Sequence, residues 1–244
     1  MRSPLIIAAA QLACVPGDID ANVVLHVDLI DKAAESGARA VVFTELSLIG
    51  YELDVIAQRL PELATGPNDP RLQPLRAACA RHGIHAVVGA VLPAETGYTI
   101  SSLVFDGSGD LAATYAKQHL HGVEGEIFCP GTDCVVIEVD GWKLGLAICA
   151  DVNLPEHAAE TVAAGADVYV ASALYMAGKE ARRDGHMVAR ATENNCWTVL
   201  SAYSARVDGE ATTGGSGIWR PDGSLAAQSG PESPALAIAA LTEA

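Results

Sequence analysis

The chain has 244 residues, and half of them are apolar. This length and composition suit one α/β domain with a sizeable core, and we expect residues 1–244 to form a single domain. The formal net charge is −15. Such a negative field repels nucleic acid and anionic membranes, and the four lysines, Lys32, Lys117, Lys143 and Lys179, provide no basic cluster for phosphates. We therefore expect neither a nucleic-acid nor a membrane partner.

Short apolar runs alternate with helical patterns in the first half of the chain. The predicted strands cover residues 4–12, 40–43, 85–91, 102–105 and 111–116. One helix is predicted over residues 21–36, and another runs from the Asp69-Pro70 cap to His82, where Gly83 ends it. Residues 4–12 could begin a secretion signal, but Gln11 stands where a cleavage site requires an aliphatic residue, so a buried strand is favoured.

The second half contains both a hairpin and crossover connections. Residues 135–139 and 142–148 form the predicted hairpin, with Asp140-Gly141 as its turn. Helices are predicted over 155–164 and 179–194, and strands over 166–172, 197–203, 217–220 and 235–241. The mixture predicts an α/β fold of the α+β type, with two mixed sheets between helices. No apolar run reaches the ~18 residues of a transmembrane helix.

The six cysteines are scattered in a chain too long to need disulfide staples. We interpret them as reduced thiols of a cytoplasmic protein. Cys129 and Cys134 are five residues apart, and no CxxC partner or histidine pair completes a zinc site. No metal is expected.

Cys149 stands between the predicted strand 142–148 and the helix that Pro155 begins. A strand-to-helix turn is the geometry of a nucleophile elbow, which exposes the side chain and leaves backbone N–H groups free to bind an oxyanion. Taken alone, however, one cysteine after an apolar run is more readily explained as a packed free thiol.

Three charged residues also have settings suited to catalysis. Glu45 follows the predicted strand 40–43 among apolar residues, and such a setting raises a carboxyl pKa toward the range of a general base. Lys117 closes the predicted strand 111–116, and Glu124 stands in a glycine-containing loop. Each of them alone is more readily explained as a surface or salt-bridged side chain.

His119 and His121 are alternative partners for a thiolate, as in papain-like enzymes. Leu120 between them would place both on the same side of a strand. A surface or hydrogen-bonded pair is the commoner explanation, and no third ligand is spaced to complete a zinc site.

The combination of motifs resembles the nitrilase, or carbon–nitrogen hydrolase, superfamily. Residues 43–51, 115–120 and 146–151 are similar, in that order, to its glutamate, lysine and cysteine motifs, and Glu124 lies in a stretch that resembles the one with its supporting glutamate. The likeness covers nearly the whole chain. Thr44 stands where proline is usual, and Ala150 stands where an aromatic residue is usual. Because Glu45, Lys117 and Cys149 are all present, these departures concern the substrate rather than the chemistry.

The resemblance implies an α-β-β-α sandwich that dimerises face to face, as a homodimer or higher homo-oligomer, with no metal and no organic cofactor. It implies that Cys149 is the nucleophile and Glu45 the base. Lys117 and the backbone N–H of Ala150 would hold the oxyanion, and Glu124 would orient Lys117 or the substrate.

The implied substrate is a small-molecule amide. Asp151 lies two residues after Cys149, at a position where nitrile-cleaving members more often carry Glu. The chain is also short for a nitrilase. Both features favour an amidase. By analogy with family loops, the pocket would also be lined by Tyr51, Tyr175, Met176 and His186. The alternatives are an N-carbamoyl hydrolase, a nitrilase and a catalytically silent binding subunit on the same fold.

Overall fold

The computed structural model describes residues 2–66 and 68–243, and it shows two six-stranded mixed sheets flanked by helices. The mixed α/β fold predicted from the sequence is therefore confirmed. Within the described residues the strands are β1 Leu5–Gln11, β2 Ala40–Val42, β3 His85–Pro93, β4 Tyr98–Phe105, β5 Leu111–Ala116, β6 Val136–Val139, β7 Trp142–Ile148, β8 Val168–Ala173, β9 Trp197–Ala202, β10 Arg206–Val207, β11 Glu210–Ala211, β12 Gly217–Trp219, β13 Leu225–Gln228 and β14 Ala235–Leu241.

The helices connect these strands and cover the sheets. They are α1 Ile19–Glu35, α2 Leu53–Leu63, α3 Gln73–His82, α4 Glu124–Ile127, α5 Pro155–Ala163 and α6 Glu180–Asn194, with 3₁₀ turns at Pro70–Leu72 and Cys149–Asn153. Helices α1 and α3 contact each other beside the first sheet, and α5 and α6 lie beside the second. None of the helices in residues 2–66 and 68–243 is both long and apolar enough to cross a bilayer.

The two sheets pack face to face and hold the functional strand ends together. The first has strand order β14-β1-β2-β3-β4-β5 and the second β13-β12-β9-β8-β7-β6. The Ser172 hydroxyl donates to the Phe43 carbonyl at 2.7 Å, and the Thr44 hydroxyl donates to the Ala173 carbonyl at 3.2 Å. These buried hydrogen bonds join the carboxyl end of β2 to that of β8, next to the parallel strand β7.

The sequence patterns missed helix α2, the β10–β11 hairpin, strand β13 and the short helix α4, which begins at Glu124 where a loop was predicted. Helix α2 was not predicted, because Pro61 interrupts it and its backbone departs from helical geometry at Arg59. The short β10–β11 hairpin was also missed, although its turn, Asp208-Gly209, is a dipeptide that favours two-residue hairpin loops. The prediction that His119 and His121 share a strand is wrong, since both lie beyond the end of β5.

Gly89 of β3 lies directly under the loop that follows β2. A Cβ atom at this position would lie 2.3 Å from the Thr44 oxygen and 2.5 Å from the Leu46 nitrogen. We expect Gly89→Ala to lower the free energy of unfolding by about 1–3 kcal/mol, because the loop must move to make room. Chemical denaturation followed by circular dichroism measures this change.

The matched control for this prediction is Gly185→Ala. Gly185 lies within α6, and a Cβ atom there would meet nothing within 4 Å. Because alanine favours the helix over glycine, this variant should be more stable by about 0.5–1 kcal/mol. Equal stability of the two variants would contradict the close approach at Gly89.

Candidate active site

Cys149 occupies a sharp turn at the carboxyl end of β7. It begins the 3₁₀ turn Cys149–Asn153 with a φ of 49°, a left-handed conformation that is uncommon for a residue with a side chain. Its sulfur lies 3.9 Å from the Leu174 carbonyl oxygen, and the residue lines a cavity of about 530 Å³. The first N–H groups of such a turn have no partner within the turn, so they are available to an anion.

Glu45 is buried in the loop after β2. Its Oε1 atom accepts a hydrogen bond of 2.6 Å from the Lys117 ammonium, whereas Oε2 has no hydrogen-bond partner among the described residues. Burial raises the pKa of Glu45 to about 7, against the opposing attraction of Lys117, and repulsion by Glu124 adds to the rise. The nearby Cys149 thiol lowers this pKa slightly. A carboxyl group that titrates near neutral pH suits general-base chemistry.

A buried network holds the Glu45 loop in place. The His26 Nε2 atom lies 2.9 Å from the Ser47 hydroxyl, and that hydroxyl accepts a hydrogen bond of 3.0 Å from the Gly89 amide. The Asn22 side-chain amide donates to the Leu48 carbonyl at 2.9 Å. Helix α1 and strand β3 therefore fix the loop from both sides.

Lys117 follows β5 and is fully buried between two carboxylates. Its ammonium donates to Glu45 at 2.6 Å and to both oxygens of Glu124 at 2.8 Å. Burial alone lowers the pKa of Lys117, but Glu45, Cys149 and Glu124 together raise it above its ordinary value. The lysine therefore stays charged, and it can stabilise negative charge that develops beside Cys149.

Glu124, the first residue of α4, is fully buried and supports Lys117 from the far side. Its Oε1 atom accepts a hydrogen bond from the Tyr51 hydroxyl, and its Oε2 atom accepts one of 2.7 Å from the His121 backbone amide. The tyrosine and the amide orient the carboxylate, and the carboxylate orients the ammonium.

The Cys149 thiol is protonated, and it lies beside the cluster of Glu45 and Lys117. Although the residue is partly exposed to the cavity, burial of the thiol raises its pKa, and the Glu45 carboxylate raises it further. Lys117 opposes both effects. A protonated thiol beside a carboxyl group that ionises near neutral pH is a pair that can exchange a proton.

Asp151 joins the Cys149 turn to the segment that carries Lys117. Its side chain accepts hydrogen bonds from the Ile148 amide at 2.9 Å, from the His119 amide at 2.9 Å and from the Tyr115 hydroxyl at 2.6 Å. The ring of His119 also lies 2.9 Å from Asp151, so this histidine is occupied away from the thiol. A papain-like pairing of His119 with Cys149 is therefore not formed.

The family model for carbon-nitrogen hydrolases matches residues 6–244. The chain belongs to the carbon-nitrogen hydrolase family. The nitrilase-superfamily resemblance seen in the motifs is thus confirmed, and the protein is an enzyme of the carbon–nitrogen hydrolase class.

Relatives of this hydrolase include named amidases. It is 29% identical to a deaminated glutathione amidase from Escherichia coli, over 98% of this chain and 90% of that protein. It is 27% identical to a 2-oxoglutaramate amidase from Bacillus subtilis, over 80% of this chain and 75% of that protein. An amidase of the nitrilase superfamily from Nesterenkonia AN1, a mutant form of known structure, superposes with a TM-score of 0.89 at 28% identity, covering 98% of this chain and 92% of that one.

The cavity of this carbon–nitrogen hydrolase is lined by four of the five residues predicted to bind substrate, namely Tyr51, Ala150, Tyr175 and Met176. The prediction for His186 is wrong. This residue does not line the cavity, and its Nδ1 atom lies 3.0 Å from the Tyr175 hydroxyl, so it supports the cavity wall from behind.

Sequence reasoning did not predict the rest of the lining. These residues are His121, Asn153, Leu174, Lys179, Arg182, Val207, Asp208 and Glu210. His121 was considered as a base, as a zinc ligand and as a surface residue, but not as part of the lining, and its backbone amide donates to Glu124. Because lysine is scarce in this chain, Lys179 could have been considered as a functional residue. The Asp208-Gly209 dipeptide could have indicated the hairpin that contributes Asp208 and Glu210. No group of three metal-binding side chains is formed within residues 2–66 and 68–243.

Proposed function

We propose that the protein hydrolyses the carbon–nitrogen bond of a small linear amide through a thioester on Cys149. The observation that carries this proposal is the buried cluster of Glu45, Lys117 and Glu124 beside a cysteine that opens onto a cavity. The cavity of about 530 Å³ is of a size that suits a small molecule.

In the first half of the proposed cycle, Glu45 accepts the thiol proton and the sulfur attacks the amide carbonyl carbon. Lys117 and the backbone N–H of Ala150 stabilise the tetrahedral oxyanion. Collapse of this intermediate breaks the carbon–nitrogen bond, and protonated Glu45 gives its proton to the leaving nitrogen. Ammonia or a small amine departs, and the acyl group remains on sulfur.

In the second half, Glu45 removes a proton from water, and the resulting hydroxide attacks the thioester carbon. The same donors stabilise the second oxyanion, and the carbon–sulfur bond breaks to release a carboxylic acid. The sulfur regains its proton from Glu45. The cycle uses only these side chains and water, and it restores every group to its starting state.

An amide is favoured over a nitrile or a carbamoyl group by the similarity to the Nesterenkonia amidase. Mutant forms of that protein have been solved in complex with butyramide and with acrylamide. In another mutant of it, the acetamide moiety of fluoroacetamide is attached to the active-site cysteine. These observations support a small linear amide in the corresponding cavity of this chain, next to the cysteine sulfur.

The proposed function is tested by product analysis with butanamide, butyronitrile and N-carbamoyl-β-alanine. We expect ammonia and butanoate in equal amounts from butanamide. Release of carbon dioxide with ammonia from the carbamoyl compound alone would identify an N-carbamoyl hydrolase instead. Turnover of the nitrile alone would identify a nitrilase, and no turnover of any compound would point to a silent subunit.

The pH dependence of kcat/KM provides a separate test of the role of Glu45. The base must be ionised, and burial raises its pKa to about 7, so kcat/KM should fall about tenfold per pH unit below pH 7. An ordinary glutamate would place this acid limb near pH 4.5. Rates for butanamide hydrolysis between pH 4 and pH 9 distinguish the two, and an acid limb near pH 4.5 would contradict the assignment.

A further inference from the structure

Residues of opposite charge from two separate elements line the Cys149 cavity. Lys179 and Arg182, which we call the basic side, lie at the start of α6, and their spacing of three residues places both on one helix face. Asp208 and Glu210, the acidic side, belong to the β10–β11 hairpin, where Asp208 lies at the turn.

Backbone hydrogen bonds fix the two sides relative to each other. The Ala177 amide donates to the Ala211 carbonyl at 2.9 Å, and the Thr213 amide donates to the Tyr175 carbonyl at 2.8 Å. Met176 and Thr212 form a β-bridge between these contacts. These contacts therefore hold the segment before α6 against the hairpin, and both contribute residues to the cavity lining.

The charges of the basic side are not neutralised by the protein. Within residues 2–66 and 68–243, the side chains of Lys179 and Arg182 form no hydrogen bond and no ion pair, whereas the neighbouring Arg183 donates to Asp184 at 2.8 Å and to the Gly214 carbonyl at 2.7 Å. Acidic partners are abundant, since Asp and Glu outnumber Lys and Arg by 30 to 15. Two free cations at one cavity mouth are therefore available to an anion.

The charges of the two sides also remain separate from each other. Among the described residues, no ion pair of 4 Å or less joins the basic side to the acidic side, although all four residues line the same cavity. Arg182 also acts on Tyr175, another residue of the lining, because its positive charge opposes the burial that raises the pKa of Tyr175. A ligand with two opposite charges would fill the gap between the two sides.

We propose that this mouth selects a primary amide whose far end carries both an ammonium and a carboxylate group, as in the side-chain amide of an α-amino acid. The carboxylate lies against Lys179 and Arg182, and the ammonium lies against Asp208 and Glu210. A neutral amide leaves the basic side without an anion, and it leaves the acidic side, where Asp208 lies against the Glu52 carboxyl group, without a cation. A singly charged amide satisfies only one of the two sides. The inference rests on the proposed function, because the amide carbonyl must reach Cys149.

Four substrates with matched acyl chains separate the contributions of the two charges. Glutamine carries both charges, 4-carbamoylbutanoate only the carboxylate, 4-aminobutanamide only the ammonium, and butanamide neither. We expect each charge to raise kcat/KM by about 2- to 5-fold, in line with ion pairs that are exposed to solvent. Added salt should reduce these ratios, because it screens the charges.

Two double variants assign each charge to its side of the mouth. Lys179→Gln with Arg182→Gln should bring the kcat/KM ratio of 4-carbamoylbutanoate to butanamide close to one. Asp208→Asn with Glu210→Gln should do the same for the ratio of 4-aminobutanamide to butanamide. The matched control, Lys32→Gln with Lys143→Gln, removes two positive charges away from the cavity and should leave the first ratio unchanged.

The outcomes separate this inference from the proposed function. Equal kcat/KM values for the four substrates, or a preference for one charge alone, would overturn the inference while ammonia release still supports amide hydrolysis. The same ratio changes in the control variant would also overturn it, because they would come from the overall field. Absence of ammonia from all four substrates would overturn the proposed function and the inference together.

Discussion

Replacement of Cys149 by alanine is expected to abolish amide turnover, with a loss in kcat of about 10⁴-fold or more. Alanine cannot form the thioester, and no other thiol opens onto the cavity among the residues that line it. Ammonia release from butanamide measures the loss. Circular dichroism should show a folded protein, because the side chain of Cys149 is only partly buried and has few polar contacts.

Cys79→Ala is the matched control for this prediction. Cys79 is a fully buried thiol of α3, outside the cavity lining, and burial raises its pKa to about 12. Its removal leaves a small void that affects stability more than turnover. Equal losses of turnover in the two variants would reject Cys149 as the nucleophile.

Replacement of Lys117 by methionine is expected to have the largest effect on stability. The variant leaves Glu45 and Glu124 buried without their shared cation, and breaking such a buried pair costs about 3–5 kcal/mol. The lost oxyanion donor should lower kcat by about 10²- to 10³-fold as well. Urea denaturation measures the stability change at a series of pH values.

The pH dependence of this loss has a defined sign. Without the ammonium, burial favours the protonated form of Glu45 still more, because Lys117 no longer opposes the rise in its pKa. A group whose folded-state pKa is raised stabilises the fold at low pH and ceases to do so as pH rises through that value. The variant should therefore lose stability progressively above about pH 5. Adding Glu124→Gln removes one of the two carboxylates and should restore part of the stability. No recovery in this double variant would contradict the charge-based explanation.

Much of the fold was predictable because its patterns are local. The apolar run of β7, the Asp140-Gly141 turn and the glycine after α3 each specify a local geometry that the structure adopts. Helix α2 was missed because Pro61 argues locally against a helix, whereas tertiary contacts at Ile56 and Leu63 bury one face of it. Pairing between distant strands, such as β1 with β14, was not accessible to local patterns.

The candidate site was predictable through the resemblance of residues 43–51, 115–120 and 146–151 to the family's motifs, because each of these side chains alone allowed a non-catalytic explanation. Glu45, Lys117 and Cys149 were predicted to meet, and the structure places the first two 2.6 Å apart. The role of Asp151 depends on partners such as Tyr115, 36 positions away, and no local pattern indicates that contact. His186 was misplaced because its helix turns the ring behind Tyr175, and this depends on how α6 packs.

The most direct test of the account is the identity of the covalent intermediate. Wild-type protein is mixed with butanamide, quenched in acid during turnover, digested and analysed by mass spectrometry. We expect a butanoyl group on the peptide that contains Cys149, and its absence when Cys149 is replaced by alanine. A butanoyl group on any other cysteine, or turnover with no acyl-enzyme at any time after mixing, would contradict the account.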